Sequence, residues 1–216
     1  GSTTNQTFTL TNTGGVAASL VAGSGLAAPF DFLGGAFPGA GGTCTGNLLA
    51  GASCDVVVTY QPTVVGLSLD TLVIYYNNGI VMSQSTRDMQ GTAALPASLS
   101  VSNGPTYNFG TIAVGASTTN LFTIFNTGGV AATLVGITSL SSPFAFVGGA
   151  YPGAGGTCTN TIVAGTNCTI NVSFTPIAMG LYTDSIDVDY NDGAGFQVAS
   201  RAIEGTGVAP ALLTIN

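Results

Sequence analysis

The chain has 216 residues, of which 5% are charged, and it contains no histidine, lysine or tryptophan. A net charge of −7, with Arg87 and Arg201 as the only basic residues, excludes a nucleic-acid partner, because phosphate backbones are gripped by Lys/Arg surfaces. General acid–base and activated-nucleophile sites have almost nothing to be built from, since Glu204 is the single glutamate; no catalytic residue is assigned and the chain reads as a non-enzyme. Mean hydropathy is high at +0.51, yet no apolar run approaches the roughly 18 residues of a membrane-spanning helix. The composition predicts a secreted protein whose solvent face is Ser, Thr, Asn and Gly. No charged stretch followed by an apolar core opens the chain, so any signal peptide is expected to be gone already.

Sliding the sequence over itself gives one offset, 114 residues, without a gap: Gly1 meets Gly115, Phe8 meets Phe122, Cys44 meets Cys158 and Arg87 meets Arg201. Forty-five positions are identical, so both copies share one fold. Residues 1–93 read as a first repeat without its opening strands, and 94–207 as a full second repeat. Residues 208–216 read as an opening strand, either of a following repeat or donated to another chain.

In the full copy, Pro96–Asn103 and Tyr107–Gly115 open the domain. Leu121–Gly129 (LFTIFNTGG) follows, with Phe122 and Ile124 facing inward and an NTGG turn, and then Val130–Ile137. The loops Gly34–Gly42 (GGAFPGAGG) and Gly148–Gly156 (GGAYPGAGG) precede a strand rather than a helix and have no basic neighbour, so they are not phosphate cradles. Phe37 and Tyr151 at their centres either cap their own core or anchor a neighbouring subunit. The cysteine stretches Thr43–Pro62 and Thr157–Pro176 alternate with period two. Cys54, Val56, Val58 and Tyr60 face inward, matched by Cys168, Ile170, Val172 and Phe174; Asp55, Val57 and Thr59 face outward. Tyr182–Tyr190 is another strand, with Ile186, Val188 and Tyr190 inward like Leu72, Ile74 and Tyr76. Asn191–Gly193 (NDG) is a hairpin turn, and a last strand runs through Arg201 to Gly207. Seven or so short strands at turn-punctuated spacing predict an all-β fold of two tandem immunoglobulin-like sandwiches.

Four cysteines allow three pairings, and the repeat selects Cys44–Cys54 with Cys158–Cys168, each copy closing its own loop. Disulfides imply an oxidising, extracellular compartment; a ten-residue cysteine separation without histidine is not a zinc pattern. The acidic run Asp184–Gly193 places Asp187 and Asp189 on one strand face and Asp192 in the turn. That is a weak calcium pattern against a solvated face, and no other cofactor is implied. Asn5 and Asn171 begin glycosylation sequons.

Asn108–Gly129 (NFGTIAVGASTTNLFTIFNTGG), Val163–Gly180 (VAGTNCTINVSFTPIAMG) and the closing EGTG at Glu204–Gly207 resemble the hydin/ASH-like immunoglobulin repeats, with Gly1–Gly15, Leu49–Gly66 and Gln90–Thr92 as first-copy equivalents. In bacteria these occur in large surface proteins labelled choice-of-anchor D. The resemblance implies a PapD-like sandwich in an extracellular array and carries over no catalytic residue. The expected function is a subunit or stalk segment of a surface fibre, with copies of itself as partners. The alternative is an adhesin module binding a glycan or cell surface. Leu213 and Ile215, matching Leu99 and Val101, would assemble copies by strand donation; the alternative is that the chain is a fragment of a longer array with both ends arbitrary. Outward apolar Val57, Val73 and Tyr75 suggest a surface covered by neighbours.

Overall fold

Alternating apolar and polar side chains build strands wherever turn residues punctuate them. In the second copy the inward set closes completely: Ile170, Val172 and Phe174 are all 0% exposed. The computed structural model describes residues 2–137 and 140–215, all strands, turns and loops, and the chain divides into two units, Gly1–Ala94 and Leu95–Asn216. The first contains β1 (Thr4–Thr11), β2 (Ala18–Gly23), β3 (Phe30–Phe32), β4 (Asn47–Leu48), β5 (Ser53–Tyr60), β6 (Gly66–Asn77) and β7 (Met82–Ala93). The second contains β8 (Leu99–Val101), β9 (Thr106–Ala113), β10 (Thr118–Asn126), β11 (Ala132–Ile137), β12 (Phe144–Phe146), β13 (Thr161–Ile162), β14 (Asn167–Phe174), β15 (Gly180–Asn191) and β16 (Phe196–Val208).

The second unit is a two-sheet sandwich. One sheet has the order β12-β14-β10-β8 and the other β13-β11-β15-β16-β9. β9 runs parallel to β16 and every other pairing is antiparallel. Between the sheets lie Phe122, Ile124, Phe144, Phe174, Ile186 and Ile203. Phe109 from β9 sits among Phe122, Phe144 and Phe174, with ring centroids 5.7 to 6.3 Å away.

The first unit repeats this architecture with one strand fewer in each sheet. Its sheets are β1-β5-β3 and β4-β2-β6-β7. By the 114-residue offset, the places beside β1 and β7 are those that β8 and β9 occupy in the second unit. The burial pattern records the difference: Phe8, Leu10, Tyr60 and Tyr76 are half-buried, whereas their counterparts Phe122, Ile124, Phe174 and Tyr190 are buried.

One expectation is corrected. Val57, assigned to the outward face, is only 8% exposed. Its own unit covers it: the loop Gly34–Gly42 crosses β5, with Val57 N–H donating to the Pro38 carbonyl (2.7 Å) and Leu33 N–H to the Val57 carbonyl (3.0 Å). That crossing requires glycine, because Gly39 lies at φ +90 and a Cβ there would meet the Val57 carbonyl. Val73 is half-buried and Tyr75 exposed. The tail, expected to pair only with a following repeat or another chain, has no strand pairing within this chain over Pro210–Ile215. Leu212, Leu213 and Ile215 are 86%, 92% and 101% exposed.

Candidate functional site

Three clefts of the first unit lie along β1 and β7 and correspond to space filled in the second unit. A cleft of about 380 Å³ is lined by Leu10, Asn12, Gly14, Leu48 and Tyr76. Another, of about 550 Å³, lies over Phe8, Val56, Leu72, Ile74 and Arg87. A third, of about 450 Å³, is walled by Phe8, Phe30, Tyr60 and Met89, and matches the place of Phe109. Together they form an open slot between β1 and β7.

The second unit shows how such a slot holds a strand. β8 lies antiparallel on β10, pairing Val101 with Ile124, Ser100 with Phe125 and Leu99 with Asn126. Asn126, 1% exposed, donates to the Val130 and Ile162 carbonyls (2.9 Å each) and accepts from Gly128 N–H (3.0 Å) and from Ser98 N–H (3.2 Å). Tyr190 Oη accepts from Leu99 N–H at 3.2 Å. The chain crosses tightly over Gly128, where a Cβ would collide with the backbone of Pro96, Ala97 and Ser98. Arg201 closes the site: Nε donates to the Ser102 carbonyl (2.9 Å), Nη1 to the Pro105 carbonyl (3.0 Å) and Nη2 to the Val101 carbonyl.

Each of these groups has a counterpart in the first unit without the strand it would hold. Asn12 makes the same bonds within its own unit, to Val16 O, Leu48 O and Gly14 N, at 2.8 to 3.0 Å. Gly14 has open space above it, with only Asn12 Oδ1 near a would-be Cβ. Tyr76 Oη and the Arg87 guanidinium have no hydrogen-bond partner among the described residues. On β1, Asn12 N–H donates to Ala52 O, and the alternation of an antiparallel ladder turns the amides of Thr9 and Thr11 to the open side.

The other predicted residues lie elsewhere. Cys44 is bonded to Cys54 and Cys158 to Cys168. Phe37 packs edge-on against Phe32 (5.6 Å) and Tyr151 against Phe146 (5.8 Å), so each ring rests on its own unit's core. Burial raises the Tyr151 hydroxyl above its usual pKa. Asp187 accepts from Ser185 Oγ and Asp189 is exposed. Asp192 accepts from the amides of Ala194 and Gly195 (2.7 Å each), and these bonds hold its carboxyl below the ordinary value against the opposing effect of burial. Among the described residues no three potential metal ligands converge. Asn171 Nδ2 donates to the Ala154 carbonyl, so that sequon side chain serves the loop crossing, whereas Asn5 is exposed on β1. Sequence reasoning passed over Asn12, Gly14, Tyr76 and Arg87. The available signal was that a lone arginine and an Asn-Thr-Gly-Gly turn recur at the same offset.

Two-sheet topology with these strand orders defines an immunoglobulin-like sandwich. Residues 98–205 match the HYDIN/CFA65/VesB-like Ig-like domain family, and the chain belongs to it. No curated protein matches. Among solved structures, the Vibrio cholerae VesB protease is similar at 19% identity and TM-score 0.41, over 51% of this chain and 32% of that one. The chain thus spans about a third of that structure's length. PapD-like domain 7 of human CEP192 is similar at 13% identity and TM-score 0.40, over 54% of this chain and 89% of that one. The Pseudomonas aeruginosa CupB2 chaperone is similar at 12% identity and TM-score 0.31, over 92% of each chain. The matched family is an Ig-like domain, not a catalytic one. Among the described residues no helix is long and apolar enough to cross a membrane.

Proposed function

We propose that the chain is a non-enzymatic structural segment of an extracellular array, serving as a subunit or stalk of a surface fibre whose copies join end to end. The observation that carries this reading is the recurrence of one disulfide-closed sandwich at a fixed 114-residue offset. Repeat proteins build long objects from units of this kind. The two disulfides favour an oxidising, secreted setting, and a chain with only 5% charged residues suits side-by-side burial better than a freely diffusing monomer. Native mass spectrometry and negative-stain electron microscopy of the purified chain test this. End-to-end oligomers or filaments support it. Monomers that bind a glycan array would replace it with an adhesin reading.

A further inference from the structure

We propose that the outward face of β2, β6 and β7 in the first unit is a pairing surface, on which a second copy of this chain lays the same face, sheet against sheet. This adds a lateral contact to the array reading above and does not depend on how copies join end to end. Strand alternation builds the face. Leu72, Ile74 and Tyr76 of β6 turn into the sandwich, so Leu69, Val73 and Tyr75 turn out. Across the ladder, Tyr75 lies between Ala22 of β2 and Gln84 of β7, and Met82 takes the next outward place on β7, opposite Asn77. The bulge between Ser19 and Ala22 leaves Leu20 beside them. Leu20, Leu69, Tyr75 and Met82 are all exposed, which sets an aromatic ring at the centre of an apolar cluster.

The second unit differs at the centre of this face. At the 114-residue offset, Asp187 stands at the place of Val73 and Asp189 at that of Tyr75, while Leu134 matches Leu20 and Phe196 matches Met82. The same fold carries two carboxylates there, so the sandwich itself makes no demand for the apolar pair. Charge selects the occupant. A copy of this chain has a net charge of −7, so two copies meet favourably only where carboxylates are scarce. Of the 9 acidic residues, the face bears Asp88 alone, and the Thr71 hydroxyl donates to it at 2.9 Å. A cationic partner finds no row of carboxylates to grip. The matching face of the second unit would bury Asp187 and Asp189 unpaired, which is strongly unfavourable. The face of the first unit is thereby complementary to itself, the condition for a two-fold pair. An axis near Tyr75 buries that ring, an anchor of the kind that dominates interfaces, and leaves Asp88 at the wet rim. The size fits as well. β6 and β7 have 12 residues each, a ribbon about 40 Å long, and with β2 beside it the face offers on the order of the 800 Å² per partner that a standard interface buries.

The test is sedimentation velocity across a concentration series, comparing the full chain with the double variant Val73→Asp/Tyr75→Asp. The substitutions copy the second unit, where Asp187 and Asp189 stand in a folded strand, and circular dichroism checks that the sheets are kept. The parent chain is expected to pair, and the variant to pair about 100-fold more weakly, because like charges then face each other across a buried contact. The reciprocal variant, Asp187→Val with Asp189→Tyr, gives the second unit the same face and is expected to carry association beyond pairs; it reads the proposal even where the first variant loses its fold. A parent chain that stays monomeric throughout the series overturns the proposal. So does pairing of unchanged strength in Val73→Asp/Tyr75→Asp, or a reciprocal variant no more associated than its parent. End-to-end oligomers that form equally in the parent and both variants overturn the pairing face while leaving the array reading standing. Pairs that the first variant abolishes, with no longer assembly seen by electron microscopy, support the face and overturn the array reading instead.

Discussion

Replacing matched phenylalanines in the two units measures how incomplete the first core is. Phe122 is 0% exposed and packs edge-on against Tyr107 at 5.1 Å, so Phe122→Ala removes a fully buried ring and leaves a cavity. Such a change costs about 3–5 kcal/mol. Phe8 occupies the same position, half-buried and facing the slot. Its ring forgoes the contacts that β9 supplies in the second unit, and the space left by truncation opens to water. The expected cost of Phe8→Ala is about 1–2 kcal/mol, since only part of the transfer free energy of the ring is in play. Native-state hydrogen exchange followed by peptide mass spectrometry reads each unit separately within the intact chain. Equal losses at the two positions would refute the reasoning, because they would mean that the first core is as closed as the second. A peptide with the sequence of residues 96–114 is expected to raise the cost at Phe8 towards that at Phe122.

Other consequences follow from single residues. Leu134 sits at φ 53 in the β11 bulge and is 63% exposed, so Leu134→Gly relieves backbone strain while losing little packing; the second unit should gain about 1 kcal/mol in denaturant titrations. Asp192 has a lowered carboxyl pKa, so its contribution is present above the unfolded-state carboxylate pKa and is lost as pH falls through the lower folded value. Asn78, at the same turn of the first unit, makes the equivalent bonds to Ile80 and Val81 without a charge. Asp192→Asn should therefore flatten the acid dependence of the second unit's stability while preserving the turn, and an unchanged pH profile would show that Asp192 is not its source. Each disulfide closes a loop with a sequence separation of 10, and Cys158→Ser with Cys168→Ser should cost the second unit about 3 kcal/mol in chemical denaturation.

Sequence carried the strands because period-two patterning is local: the alternation from Cys54 to Tyr60 is visible without knowing what lies across the sandwich. The disulfide pairing was legible from recurrence alone. Val57 was misplaced because its burial comes from a distant loop whose path depends on Gly39 at positive φ, which no strand pattern records. Asn126 escaped notice as a core residue because its polarity reads as a turn, whereas four hydrogen bonds make it the bracket between β10, β13 and the approach to β8. Arg201 looked like an isolated surface charge; its work is on three backbone carbonyls nearly a hundred residues earlier in the chain. The slot was foreseeable as missing strands, but its grips were not, since each is defined by a partner that only the second unit displays.

Amide hydrogen exchange at Thr11, with a peptide of the sequence Pro96–Val114 added to the chain, tests most directly that the slot beside β1 is a strand-binding site. The alternation of the ladder turns the Thr11 N–H to the open side of β1, while that of Asn12 is bonded to Ala52 within the sheet. With the peptide at saturation, exchange at Thr11 is predicted to slow by at least tenfold relative to the chain alone, with Asn12 little changed. A Thr11 amide that exchanges at its free rate in the presence of the peptide would contradict the account, because the slot would then not take a strand in the register of β8 on β10.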